Sequence, residues 1–219
     1  HIFDLRIVTE LDEQYKDAEL KVYLAVTNAG KETEKNIAAR LSIGGLPVVL
    51  DQVIPELSPG QNWTGWLTGK VADPRKWDNE HPYLYTMKIE LGNADVTTEQ
   101  IEKRFGFREV EVQGNRLLVN GKPVKLRGVC RHEAHPLTGR VITPDLERKD
   151  VELYRAANCN FIRTSHYPPC EELLEICDEL GMFVEVEAPV CWIGHHANEN
   201  WKVLDYQDST YYPYVLQAN

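Results

Sequence analysis

The sequence predicts two folds in series: an all-β sandwich, then an α/β unit built on a parallel sheet that is incomplete. Three observations carry this. Over roughly the first hundred residues apolar and polar side chains alternate with a period of two, the mark of strands with one face buried. Beyond Thr143 the apolar period lengthens to the helical one, in two stretches. Short apolar runs separate those stretches, and strands alternating with helices give parallel pairing.

In the first half, Ile2 to Leu11 supplies the opening strand. Leu20, Val22, Leu24 and Val26 then alternate with Lys21, Tyr23, Ala25 and Thr27, and Asn28-Ala29-Gly30 is turn chemistry. Ile37, Ala39, Leu41 and Ile43 repeat the alternation until Gly44-Gly45 ends it. Val48 to Ile54 is a further strand, broken by Pro55 and Ser58-Pro59-Gly60. Trp63 to Leu67 and Tyr83 to Leu91 follow, closed by Gly92-Asn93. Strands of this length and spacing make a sandwich of ~100 residues. The Cys-Trp-Cys pattern of antibody domains is absent. Trp63, Trp66 and Trp77 read as core or interface residues because an indole buries a large area, although indoles also stack on sugar rings. Asn62-Trp63-Thr64 fits a glycosylation acceptor pattern short enough to arise by chance, and His81 before Pro82 reads as a loop residue.

The second half begins with Val110, Val112, Leu117 and Val119 around Gly114-Asn115, a connecting hairpin, and Asn120-Gly121 is another hairpin turn. Val124 to Val129 is a compact strand, and Cys130-Arg131-His132-Glu133-Ala134-His135-Pro136 reads as the polar loop after it. Thr143-Pro144-Asp145 starts a helix, with Leu146, Leu153, Tyr154 and Ala157 as its apolar stripe. Phe161 to Thr164 is the next strand. Pro168-Pro169 opens a second helix, with Cys170, Leu173, Leu174, Cys177 and Leu180 on one face and Gly181 as terminator. Phe183 to Val186 is the third strand, ended by Glu187-Ala188-Pro189, and Ser209 to Asn219 looks like the start of a helix that is cut off. A (β/α)8 barrel needs eight such units and ~250 residues, so the chain is expected to stop in mid-architecture.

Composition narrows the function classes. A net charge of -10 argues against a nucleic-acid footprint and against anionic membrane surfaces. No apolar run approaches the ~20 residues of a membrane helix. With His1 first, the start is expected to have been cut or processed, leaving cytoplasm and bacterial periplasm both open. The five cysteines, all in the second half, are odd in number and read as reduced, mostly buried thiols.

The stretch with the most chemistry is Asn160 to Pro169, where Arg163, His166 and Tyr167 follow a short apolar strand core. Groups at the carboxyl end of a strand in a βα unit sit where ligands bind. This stretch, with Leu126 to Pro136, Phe105 to Arg108, Val119 to Val124 and Pro82 to Tyr85 in the same order, resembles glycoside hydrolase family 2. That family includes β-galactosidases, β-glucuronidases and β-mannosidases. The resemblance implies an immunoglobulin-like β-sandwich over 1–109. It also implies the first three or so βα units of an incomplete (β/α)8 TIM barrel over 110–219.

It implies, further, a retaining exo-β-glycosidase, a β-galactosidase first and a β-glucuronidase or β-mannosidase as alternatives, in which one glutamic acid protonates the leaving oxygen and a second attacks the anomeric carbon. Both glutamates are expected outside this chain, which would be inactive alone. Asn198-Glu199 has no apolar strand before it. What the chain is expected to hold is one wall of a glycone site: His135 and His166 on the sugar, Arg163 orienting carboxylates, Glu187 facing the same opening and Trp192 as a stacking platform. For each the alternative is a polar network that only supports the barrel.

No cofactor and no metal are expected. Cys130, His132 and His135, or His195 and His196, lack the paired spacing of a zinc site. Ala188 to Trp192 lacks the Glu-Thr-His motif through which some β-galactosidases hold magnesium. The expected partner is a β-linked glycoside or oligosaccharide, with self-association through the open barrel edge. The competing reading is a non-catalytic carbohydrate-binding or interaction module with the sandwich as its working part.

Overall fold

The computed structural model describes residues 1–93 and 95–188. They form two compact units, which divide between Lys125 and Leu126.

The first unit is an immunoglobulin-like sandwich. Its strands are β1 (Ile2–Leu11), β2 (Ala18–Thr27), β3 (Ile37–Ile43), β4 (Val49–Ile54), β5 (Asn62–Val71), β6 (Tyr85–Gly92) and β7 (Thr97–Phe105). One antiparallel sheet has the order β1-β2-β5 and the other β4-β3-β6-β7. The alternation read in the sequence is the alternation of burial: Leu20, Val22 and Leu24 of β2 and Ala39 and Leu41 of β3 are fully enclosed. Register places Leu41 between Leu50 and Ile89, so that one face of the four-stranded sheet is a continuous apolar layer. Each such side chain taken out of water contributes about 1.5–3 kcal/mol.

The periodicity of the sequence does not predict β7. Its sequence Thr-Thr-Glu-Gln-Ile-Glu-Lys-Arg-Phe is charged more than apolar, and among the described residues it pairs only with β6. A charged edge is how sheets avoid recruiting further strands, and the same charge hides the strand from a periodicity argument.

The tryptophans divide. Trp77 is fully buried, its main-chain N–H donating to the Phe107 carbonyl at 2.8 Å, with the Arg108 guanidinium 5.2 Å from its ring. Trp63 packs partly against the core, whereas Trp66 is half exposed beside Tyr23, ring centroids 5.3 Å apart.

The hairpin strands β8 (Val110–Gln113), β9 (Arg116–Val119) and β10 (Lys122–Pro123) form a small sheet of their own. They belong to the first unit by contact. The Tyr15 hydroxyl donates to Glu111 at 2.5 Å, Asn120 Nδ2 donates to the Trp77 carbonyl at 3.1 Å, and Asn120 Oδ1 accepts from the Glu109 N–H at 2.9 Å.

In the second unit β11 (Gly128–Arg131), β12 (Phe161–Thr164) and β13 (Phe183–Glu185) pair in parallel, in that order, through α1 (Pro144–Ala156) and α2 (Glu171–Leu180). This is the start of a TIM barrel. β11 begins four residues later than the apolar run at Val124 predicts. Val124 still bonds back to Leu117 of the hairpin, and the strand takes in Cys130 and Arg131, which the sequence reading put in a loop. Gly128 is required, because a Cβ there would lie 1.8 Å from the Phe161 carbonyl oxygen. Asn160 sets the register of all three strands: its side chain accepts from the Arg127 N–H at 2.8 Å and its carbonyl from the Phe183 N–H at 2.9 Å.

Val151, Ile162, Leu173, Ile176, Cys177 and Met182 make the core. The buried stripe of α1 is Glu147 and Val151, with Tyr154 partly covered, while Leu153 and Ala157 face solvent. The stripe is displaced because a glutamate occupies an inward position. α2 buries Leu173, Ile176 and Cys177 and ends on Gly181, left-handed at φ 75°. The thiols are free, but the expectation that most are buried fails. Among the described residues Cys177 is buried, Cys159 intermediate, and Cys130 and Cys170 exposed. Burial pushes the Cys177 thiol up to about 12. Among the described residues no helix is long and apolar enough to cross a membrane. Cys191 and the stretch from Ser209 lie outside the described residues.

Candidate functional site at the strand ends

Side chains of a strand point alternately to opposite faces. On β12, Ile162 and Thr164 are buried, and Phe161 and Arg163 project from the other face. Register sets Cys130, Arg163 and Glu185 in one row across the sheet. The Arg163 guanidinium pairs with the Glu187 carboxylate and lies 3.9 Å from the Cys130 sulfur. Glu187 raises the pKa of Arg163 further above its ordinary value, so the guanidinium is a fixed cation. Glu187 is itself anchored, its N–H donating to the Thr164 hydroxyl at 3.1 Å. The structure therefore joins Arg163 and Glu187.

It treats the two histidines differently. His166 follows β12 after Ser165, across a cis peptide bond, and its ring meets that of His132 edge to face, centroids 5.2 Å apart. Tyr167 stands 6.4 Å from His132, accepts a hydrogen bond from the Glu133 N–H at 3.1 Å, and carries the Arg140 guanidinium 5.4 Å from its ring. His135 is held inside its own loop. It exchanges main-chain bonds with Gly139 at 2.7 and 2.9 Å, and its Nδ1 accepts from the Leu137 N–H at 3.3 Å. The imidazole gathered with His166 is thus that of His132, which the sequence reading considered only as a metal ligand. The available signal was position: His132 directly follows the last residue of β11.

On the opposite face of the sheet lies a buried charge cluster that the sequence reading missed. Arg131, 5% exposed, reaches the carboxylate of Glu147, 1% exposed, at 2.6 Å and that of Asp150 at 3.1 Å. The Cys170 thiol donates to Glu147 Oε1 at 3.5 Å. Burial pushes the Glu147 carboxyl above its ordinary value, and the Arg131 guanidinium pulls it back. Ligand atoms of Glu133, Glu147 and Cys170 lie within 4.8 Å of one another, the grouping among the described residues able to offer three donors to a metal. Arg131 already supplies the positive charge there. Cys130, His132 and His135 form no such grouping among the described residues. A cleft of about 250 Å³ in the sandwich is lined in part by Asn28, whose amide is already committed to Glu32, Leu57 and Gly30. Trp192, His195, His196 and Glu199 lie outside the described residues.

Against known proteins, the chain is 38% identical over 198 residues to a β-galactosidase of Aeromonas hydrophila subsp. hydrophila, an alignment covering 86% of this chain and 19% of that protein. A β-galactosidase of Pseudoalteromonas haloplanktis is 34% identical over 196 residues, covering 86% of this chain and 19% of its own length. Among solved structures, a β-glucuronidase of Bacteroides uniformis superposes with a TM-score of 0.74 at 32% identity, covering 82% of this chain and 22% of that one. The chain thus spans about a fifth of the length of these relatives. Two family profiles match end to end, "Glycosyl hydrolases family 2" over residues 1–108 and "Glycosyl hydrolases family 2, TIM barrel domain" over 110–218. By both matches, and by the sandwich and parallel βα units they cover, the chain belongs to glycosyl hydrolase family 2.

Proposed function

We propose that this chain is part of a retaining exo-β-glycosidase that hydrolyses terminal β-linked sugars, a β-galactosidase by preference, and that its strand ends form one wall of the glycone site. The observation that carries the reading is the joining of Arg163 to Glu187 on the face of the sheet away from the helices. A fixed guanidinium beside a carboxylate is the arrangement that orients active-site carboxylates by charge-assisted hydrogen bonds. His166 is the proposed sugar contact, with His132 beside it; an imidazole N–H can stabilise charge developing on sugar hydroxyls as the ring flattens. His135 is proposed as a sugar contact only if its loop opens, since its Nδ1 is engaged within that loop. Trp192 is retained as a stacking candidate. The acid/base and nucleophile glutamates are proposed to lie in sequence other than these 219 residues, so the chain alone would not turn over substrate. Along the sequence, residues 1–109 would be the sandwich domain and 110–219 the opening of the catalytic domain, with the β8–β10 hairpin at its start packed on the sandwich.

A β-glucuronidase is the second reading, favoured by the similarity to the Bacteroides uniformis structure. The test is hydrolysis of aryl β-galactosides and aryl β-glucuronides by the longest natural polypeptide containing this sequence, beside the 219-residue chain. The expected result is turnover of the galactoside by the long form, with retained anomeric configuration, and none by the short one. Turnover of neither glycoside by the long form, or robust turnover by the short chain, would overturn the reading.

A further inference from the structure

Glu147 is an anomaly. It occupies the inward stripe of α1, where an apolar residue would stabilise the helix packing, and it is 1% exposed. Taking a carboxylate and a guanidinium out of water is expensive, and apolar replacements of a buried ion pair are commonly as stable or more so. Stability therefore does not explain the pair, and its position offers another account. Arg131 is the last residue of β11, and the next residue is His132. The Arg131 carbonyl accepts the Ser165 N–H at 2.9 Å, and the residue after Ser165 is His166. One residue is thus tied by its side chain to α1 and by its main chain to the segment bearing His166. The two neighbours it governs are the imidazoles that meet edge to face at 5.2 Å.

We propose that Glu147 and Arg131 are a positioning pair: α1 grips the end of β11 through them, and that grip sets the mutual placement of His132 and His166. This rests on the reading of the strand ends as a glycone wall, and it adds residues that touch no sugar. Asp150 is the auxiliary, accepting from Arg131 Nε and Nη2 at 3.1 Å, and it is exposed enough to remain solvated if Arg131 is removed. Cys170 fixes the other oxygen of Glu147. Misplacement of a contact group by about 1 Å can lower a rate about 100-fold.

The decisive variant replaces both charges, Arg131→Met with Glu147→Met, in the longest natural polypeptide containing this sequence. The expected result is a melting temperature equal to or above that of the parent, a kcat lower by about 10- to 100-fold, and a KM within about twofold. Arg131→Lys, which keeps a cation without the fork, should fold and fall between the two. Unchanged kcat in the double variant, or activity lost only in proportion to the folded fraction, would overturn the proposal. Should the double variant not fold, Arg131→Lys decides alone: parental kcat counts against the pair. The 1H–15N signals of the His132 and His166 imidazoles give a reading independent of turnover. They should shift in the folded variant, and unmoved signals would refute the pair even if the parent hydrolyses no glycoside tested. An inactive parent with shifted imidazole signals would instead sink the glycosidase reading and leave the pair standing.

Discussion

A single atom decides whether β11 can lie beside β12. The hydrogen of Gly128 faces the Phe161 carbonyl, and a methyl group would have to stand 1.8 Å from that oxygen. Gly128→Ala should therefore destabilise the second unit at the upper end of the roughly 1–3 kcal/mol typical of overpacking, visible as an earlier thermal transition. A melting curve unchanged by the substitution would show that the strands can part freely there. Glu147 gives a prediction in pH. Its folded pKa is raised by burial, so the folded state holds its proton more tightly than the unfolded chain does. Between the ordinary carboxylate value and the raised one the folded form carries the extra proton, and stability falls as pH rises through that window. Glu147→Gln has no such proton. The pH dependence of its melting temperature should be flatter upward from the ordinary carboxylate value, and a slope equal to that of the parent would contradict this origin.

At the scale of the element, helix ends were read well and helix faces less so. Gly181 stops α2 because its left-handed conformation, φ 75°, is strained for any residue with a Cβ. Gly181→Ala should cost about 1 kcal/mol, measurable by denaturant unfolding, with the midpoint moving and the slope unchanged. The face of α1 was misassigned because hydropathy cannot show that a glutamate is turned inward by an arginine from another element. β7 was missed for a related reason: a strand at a sheet edge can be charged along both faces and still be held by the main-chain bonds of β6.

For the whole molecule, the contact boundary at Lys125 assigns the β8–β10 hairpin to the sandwich. Four hydrogen bonds, from Tyr15 to Glu111, from Asn120 Nδ2 to Trp77, from the Glu109 N–H to Asn120 and from the Asn120 N–H to the Glu109 carbonyl, are lost if the chain is cut after residue 109. At about 1 kcal/mol each, a polypeptide of residues 1–125 should be about 3–4 kcal/mol more stable than one of 1–109. Equal unfolding free energies for the two would show that the hairpin is only appended. In the second unit, β11 and β13 pair on one side only among the described residues. Unpaired edges recruit strands, so the 219-residue chain expressed alone should self-associate with rising concentration in sedimentation velocity. A monomer across the accessible range would count against that.

The sequence by itself determined the order of the two folds, most of the strands of the sandwich, the start of α1 at Pro144, and the belonging of Arg163 and His166 to one strand end, while α2 begins at Glu171, after the Pro168-Pro169 pair expected to open it. These are local properties: the period of apolar residues, a proline after a capping threonine, a glycine where the chain must turn left-handed. Which groups meet was decided only by the tertiary structure. Arg163 comes from β12 and Glu187 from the segment after β13, His132 and His166 from successive loops, and Arg131 and Glu147 from a strand and the helix after it. Parallel pairing brings the first two pairs together and the packing of α1 on the sheet the third; the register of the pairing is fixed by Asn160 and by the bare backbone of Gly128, through contacts about thirty residues apart in the chain that no window of periodicity spans.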